Sequence, residues 1–330
     1  IKEGVAAQDY DHPLAGFHIV VDAGNGAGGF YASQVLAPLG ADVSGSQFLE
    51  PDGMFPNHVP NPEDKAAMDA ISQAVVANHG DLGVIFDTDV DRGAAVDSQG
   101  VEINRNRLVA LASAIALEKC PGGTVVTDSI TSDGLKEYIE RTLGGRHYRY
   151  QRGYKNVINK ALELNARGVD CPLAIETSGH AAMRDNYFLD DGAYLVTQII
   201  IKMASLRKEG KDLHDLLAPL KEPAEELEIR LPITEEDFRA RGLELILNLE
   251  VYARAQGWSI APDNREGLRV SFPRGEGDGW FLLRLSVHDP ILPLNAESNV
   301  PGGVRLILEQ LAQFFRENSQ GIDPSPLFSA

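Results

Sequence analysis

Twice in its first 180 residues the chain drives a short apolar run straight into a dense polar loop. LGVIF, Leu82 to Phe86, ends in DTDVDR, Asp87 to Arg92. PLAI, Pro172 to Ile175, ends in ETSGH, Glu176 to His180. Apolar runs this short, bounded by turn residues, read as fully buried strands. Helical segments separate them, so the pattern is βαβ, which packs a parallel or mixed sheet between helices.

The first unit opens with HIVVDAGNGAGG, a strand at His18–Val21 and a Gly-rich turn, with a helix to about Leu39. PNPED offers Asn61 as N-cap and Pro62 at the first helical position, so a helix is expected to about Asn78. The pattern restarts near Asn104 with a helix over Leu108–Glu118, a strand in GTVVTDS, a helix from Asp133 to about Leu143 capped by Ser132, a helix in YKNVINKALEL, and another over Gly192–Lys208. After about residue 220 the alternation stops. Thr234 and Asp237 form a capping-box pattern for a helix to Ala255 stopped by Gly257; LRVSF and WFLLRLSV read as strands, and Val304–Asn318 as a terminal helix. The expected organisation is two consecutive α/β domains, residues 1–103 and 104–220, followed by a smaller α+β domain, 221–330. A length of 330 residues fits two or three domains.

The charge balance narrows the function. With 48 acidic against 30 basic residues the net charge is −18, which argues against nucleic acid or an anionic membrane as partner. An anionic substrate would require local cations or a metal. No apolar run approaches the ~20 residues of a membrane-spanning helix. Cys120 and Cys171 form no CxxC and read as ordinary thiols of a reducing compartment. No signal segment is visible at Ile1, and a leader or a further domain ahead of it is left open.

Asp87, Asp89 and Asp91 crowd three like charges at one strand end. A divalent cation removes their repulsion, and an oxygen-only set favours Mg²⁺ or Ca²⁺. The bland alternative is a solvated turn, but Arg92 adds a fork suited to phosphate. The same residues fit a haloacid-dehalogenase opening, with Asp87 as nucleophile, Asp89 as acid/base, and Lys155 and Asp190–Asp191 as later motifs; a complete βαβ segment ahead of the aspartates argues against it. Gly24, Gly26 and Gly29 match GxGxxG, yet no acid closes the next strand near Val43, so a structural turn is favoured over dinucleotide binding. Glu176, Ser178 and His180 suit a ligand rich in hydroxyls or form a capped loop. Lys155 in RGYKN stands at a helix start, where anions are favoured. Arg284, Ser286 and His288 alternate, which would put them on one strand face as a phosphate cradle or an amphipathic edge.

In this order VDAGNGAGG, PDGMFPNHVPNPE, DTDVDR, RGYKN, ETSGH and RLSVHDP closely resemble landmarks of the α-D-phosphohexomutases, the phosphoglucomutase/phosphomannomutase superfamily. The resemblance covers essentially the whole chain and implies domains two to four of a four-domain enzyme. The family's phosphoserine loop, of Ser-His-Asn-Pro type, is not found here, so this chain by itself is expected to be inactive. By the resemblance Asp87, Asp89 and Asp91 would hold Mg²⁺. Arg92 would lie beside the transferring phosphate, and Lys155 and His180 near the reacting groups. Glu176 and Ser178 would bind sugar hydroxyls, and Arg284 and Ser286 the distal phosphate, with His288 as a further donor. The implied ligands are a hexose phosphate and a hexose bisphosphate, with an N-terminal domain in cis, in the cytoplasm or, after loss of a leader, a plastid. A non-catalytic sugar-phosphate binder is the alternative. Departures from the family pattern are Thr88 and Val90, where glycines are common, the Val287-His288-Asp289 centre of the C-terminal loop, and Pro293 where a second arginine is expected.

Overall fold

The computed structural model describes residues 1–330 and places them in two compact units, Ile1–Leu220 and Lys221–Ala330. In chain order the first unit runs α1 (Lys2–Val5), β1 (Ile19–Asp22), α2 (Lys65–Asn78), β2 (Leu82–Phe86), β3 (Gly93–Asp97), β4 (Glu102–Ile103), α3 (Arg105–Lys119), β5 (Thr124–Thr127), α4 (Asp133–Glu137), β6 (Arg146–Arg149), α5 (Tyr154–Ala166), β7 (Leu173–Ile175), β8 (Ala181–Met183), α6 (Gly192–Lys208) and α7 (Leu213–Leu217). Two four-stranded sheets result, ordered β1-β2-β3-β4 and β6-β5-β7-β8. Both are mixed. β1 and β2 run parallel and β3 turns back on β2; likewise β5 is parallel to β6 and β7, and β8 turns back on β7. Each polar loop is therefore the turn of a hairpin that ends a parallel strand.

One hydrophobic core serves most of this unit. Residues 108–117 of α3 are buried all round, as a helix must be when covered on every side. It packs on β4 on one side, on β7 on another, and against α6. Leu82, Val84, Ile85 and Phe86 of β2 and Leu173 and Ile175 of β7 join the same cluster. Burying each such side chain contributes ~1.5–3 kcal/mol, which makes the strand ends rigid supports for the loops.

The second unit has β9 (Glu225–Pro232), α8 (Phe238–Ala255), β10 (Ser259–Ile260), β11 (Leu268–Phe272), β12 (Gly279–Leu283), β13 (Ile291–Ser298), α9 (Gly303–Asn318) and α10 (Ser325–Ser329). Its single sheet, β10-β11-β12-β13-β9, is antiparallel throughout. This is the expected succession of α/β sheets and a sheet-rich α+β part. No helix is long and apolar enough to cross a membrane.

Several local expectations are corrected. The segment to Leu39 is a π-helical turn, Tyr31–Leu36, and a 3₁₀ turn, Ala37–Leu39, because Pro38 has no N–H for an α-helical ladder. The N-cap of α2 is Asp64, whose Oδ1 accepts from Ala67 N–H at 3.1 Å, and not Asn61. The Asn61 Oδ1 accepts instead from Glu63 N–H and from Arg92 Nη1. The stretch from Asp133 is α-helical only to Glu137 and continues as a π turn, Tyr138–Thr142. In α8 the cap is Asp237 alone: Thr234 donates its N–H to Gly321 O, so no capping box forms.

Candidate functional site

The Asp87–Arg92 loop is built around its first carboxylate. Asp87 follows five buried strand residues and is itself only 3 % exposed. Its Oδ1 accepts the N–H groups of Val90 and Arg92 at 3.0 and 3.1 Å, and its Oδ2 accepts from Arg92 Nε at 2.9 Å. The hairpin is tight enough to force Val90 to φ 72°, a region that β-branched residues almost never enter. One oxygen each from Asp87, Asp89 and Asp91 lies within 4.8 Å of the others. Asp91 Oδ1 is buried and has no hydrogen-bond partner. Burial, then the Asp87 carboxyl beside it, pushes the Asp91 carboxyl up to about 6. An orphaned oxygen in a crowded, all-carboxylate set fits a hard divalent cation.

The Gly-rich turn after β1 is the platform for this loop. Ala27 N–H donates to Thr88 O at 2.9 Å, and a Cβ on Gly26 would stand 2.8 Å from that oxygen and 2.9 Å from Thr88 Cα. The glycine pattern thus provides close backbone packing, as the structural reading expected.

The Glu176–His180 loop closes the β7–β8 hairpin, with Glu176 N–H donating to His180 O at 2.9 Å and Gly179 at φ 100°. Glu176 is buried, and its Oε1 accepts from Gly153 N–H at 2.6 Å, which ties RGYKN to this loop. Burial, then the charge of Asp128, pushes Glu176 up to about 7. Thr177 Oγ1 donates to Asp128 Oδ2 at 2.8 Å. Asp128 is fully buried, and burial pushes its carboxyl up as well. Ser178 Oγ and Asp128 Oδ1 are buried without partners. The His180 ring lies 4.9 Å from the Tyr154 ring, stacked at 20°, with Nδ1 2.8 Å from Asp190 Oδ2 and 3.7 Å from Asp91 Oδ2. Burial pulls its pKa down, but the Asp190 hydrogen bond and the charges of Asp190, Asp91 and Glu176 outweigh that and raise it.

The two loops meet. Arg92 and His180 form an antiparallel backbone bridge, and Gly192 N–H donates to Val90 O at 3.0 Å. Arg152 Nη2 reaches Glu63 Oε1 at 3.2 Å, a second link between the sheets' loops. Lys155 is exposed, its ammonium 5.7 Å from the Tyr154 ring centre.

In the second unit the expected strand ends early. β12 stops at Leu283, although backbone bonds persist from Arg284 N–H to Pro293 O and from Ser286 N–H to Ile291 O, both at 3.1 Å. Arg284 is buried, Ser286 Oγ accepts from Asp289 N–H at 3.2 Å, and His288 sits exposed in the turn. The three residues therefore do not share one strand face: the ladder ends at Ser286, and the Asp289–Pro290 turn takes His288 out of the alternation. Pro293 lies in β13 opposite Arg230, with its carbonyl serving Arg284.

Asp128, Asp190 and Tyr154 escaped the sequence reading as parts of this cluster. Asp128 had a signal, since it ends an apolar strand in GTVVTD as Asp87 does in GVIFD. Asp190 stood out only as part of a haloacid-dehalogenase motif and Tyr154 only within RGYKN, because the fold is what brings His180 to them.

Comparison with known proteins matches residues 4–100 to phosphoglucomutase/phosphomannomutase, alpha/beta/alpha domain II, and residues 104–222 to domain III of the same family. The chain is 29% identical over 309 residues to a phosphomannomutase/phosphoglucomutase of Pseudomonas aeruginosa, covering 93% of this chain and 61% of that protein. It is 30% identical to a phosphoglucosamine mutase of Pelotomaculum thermopropionicum, covering 92% and 61%. A solved phosphoglucomutase/phosphomannomutase family protein of Burkholderia thailandensis superposes with a TM-score of 0.76 at 27% identity, over 93% of this chain and 62% of that one. An Aspergillus fumigatus N-acetylphosphoglucosamine mutase, solved with GlcNAc-6P and magnesium, shares the fold at a TM-score of 0.61 and 14% identity, over 95% and 68%.

Proposed function

This chain belongs to the phosphoglucomutase/phosphomannomutase family, and from that membership we propose that it forms the metal- and sugar-binding part of a phosphohexomutase. The reaction is transfer of a phosphoryl group between the 1- and 6-positions of glucose or mannose phosphate, through a phosphoserine outside this chain and a bisphosphorylated sugar. The chain spans only 61% of the relatives above, and a serine-bearing domain in cis supplies the remainder on this reading. Residues 1–103 contribute the metal loop, 104–220 the sugar loop and 221–330 the distal-phosphate loop. The curated relatives are bacterial, which supports a cytoplasmic setting and not a plastid one.

One observation carries the proposal: the acidic loop and the Glu176–His180 loop are joined by the Arg92–His180 backbone bridge, with Asp91 and His180 3.7 Å apart. Phosphoryl transfer needs charge neutralisation and positioning more than covalent help. Asp87, Asp89 and Asp91 would hold Mg²⁺, which when bound supplies Lewis-acid stabilisation of phosphoryl oxygens. Arg92, whose Nε donates to Asp87 and whose Nη1 donates to Asn61, would offer its guanidinium to the phosphoryl group. Glu176 and the open Ser178 Oγ receive sugar hydroxyls, His180 and Lys155 attend the reacting oxygens, and Arg284, Ser286 and His288 hold the distal phosphate. The longer protein is assayed with glucose 1-phosphate and mannose 1-phosphate, Mg²⁺ and a hexose bisphosphate. Turnover of either supports the reading, and binding without turnover favours a sugar-phosphate binder. Appreciable interconversion by the 330 residues alone would overturn the need for a serine elsewhere.

A further inference from the structure

We propose that Asp190 is a positioning residue that fixes the His180 ring with its proton on Nδ1 and presents Nε2 as the open acceptor. That Nε2 serves a sugar hydroxyl rests on the phosphohexomutase reading; the pairing itself does not.

The geometry is one-sided. A carboxylate only accepts, so the 2.8 Å approach of Asp190 Oδ2 requires a proton on Nδ1. In the neutral ring Nε2 is then the lone-pair nitrogen. Asp91 Oδ2, at 3.7 Å, lies beyond hydrogen-bond range of the same Nδ1. Nε2 makes no hydrogen bond and is not among the buried orphan atoms, so it reaches solvent. Tyr154 covers one ring face. The backbone on both sides is fixed: His180 bridges Arg92, and Asp190 bridges Ala182 just before Asp191 caps α6 through Tyr194 N–H. Only the side-chain torsions of His180 remain to be set, and Asp190 sets them. The hydrogen bond of the Asp190 carboxylate goes to this ring, and its Oδ1 is buried and unpaired.

The test is the ring's tautomer in the ¹⁵N-histidine-labelled chain at about pH 9, where imidazole is neutral, with His180 assigned by the signals lost in His180→Asn. Wild type is expected to carry its proton on Nδ1. Asp190→Asn keeps that form, because the amide oxygen still accepts. Asp190→Ala makes the Nε2–H form the major one, whereas Asp91→Ala leaves the Nδ1–H form in place. A wild-type ring protonated on Nε2, or an Asp190→Ala ring still wholly Nδ1–H, overturns the proposal; the wild-type spectrum decides even if a variant does not fold. Mg²⁺ calorimetry on the same wild-type sample separates the two readings. The Nδ1–H form without Mg²⁺ binding leaves the pairing and removes the mutase reading, and Mg²⁺ binding with the Nε2–H form does the reverse.

Discussion

Arg92 and His180 pair backbone to backbone, an antiparallel bridge between the turn of one hairpin and the turn of another. Gly192 lies against that bridge: a Cβ there would stand 2.5 Å from Arg92 C and 2.7 Å from its oxygen. The bridge, together with the Arg152–Glu63 ion pair, locks the two sheets at the loops that bear the candidate site.

The close approach makes Gly192→Ala a test of that lock. The clash is with backbone, which yields only by moving the loop. We expect a loss of about 2 kcal/mol or more in unfolding free energy, as for other overpacked sites, and a Mg²⁺ affinity at least about tenfold weaker. Chemical denaturation and calorimetry measure both; wild-type values for each would show that the loops are independent.

Metal binding should fall with pH. The Asp91 carboxyl, raised to about 6, is protonated below that value and then competes with a cation. Mg²⁺ affinity is therefore expected to be full above about pH 7 and to decline as pH drops through 6. Asp89→Asn removes one ligand charge and should weaken binding about tenfold or more at pH 8. Affinity that is flat across this range, or unaffected by the substitution, would argue against the acidic trio as the site.

Glu176 links the sugar loop to stability. Its folded pKa of about 7 exceeds its ordinary 4.5, so the native state holds the proton that the unfolded chain releases. The stability this contributes is fully present below 4.5 and is lost as pH rises through about 7. Wild type should therefore lose stability relative to Glu176→Gln over that window. Denaturation midpoints collected at pH 4.5, 6 and 8 report the difference, and parallel profiles would refute it.

Val90 carries the strain of the metal loop. Its side chain is buried, yet φ is 72°. Val→Gly at a relaxed buried site forfeits about 2 kcal/mol of apolar burial plus 0.5–1 kcal/mol of chain entropy. Relief of roughly 1–3 kcal/mol of strain should offset most of that. The net change in unfolding free energy for Val90→Gly is expected to lie between a gain of about 0.5 and a loss of about 2 kcal/mol; a loss of about 2.5 kcal/mol or more would mean that the conformation is unstrained.

The strand-to-loop transitions were legible because they are local. GVIFD and PLAIE switch from apolar to charged within one residue, and burial on both sheet faces tolerates nothing else. The class of fold, the acidic trio, Glu176, Ser178 and His180 all follow from such switches. Local chemistry misled where a competing partner lay elsewhere. Asn61 looked like a cap but also serves Arg92, 31 residues away. Thr234 looked like a cap but its N–H bonds Gly321 O, and His288 looked like a strand residue until Asp289 and Pro290 turned the chain. What the linear order determined is which side chains stand at strand ends. Only the tertiary structure decided that Asp190 and Tyr154 would flank His180 and that Asp128 would hold Thr177, because those contacts join separate segments around one sheet; that Asp91 comes within 3.7 Å of His180 depends on two hairpins packing at one bridge, a distance that no spacing within either hairpin encodes.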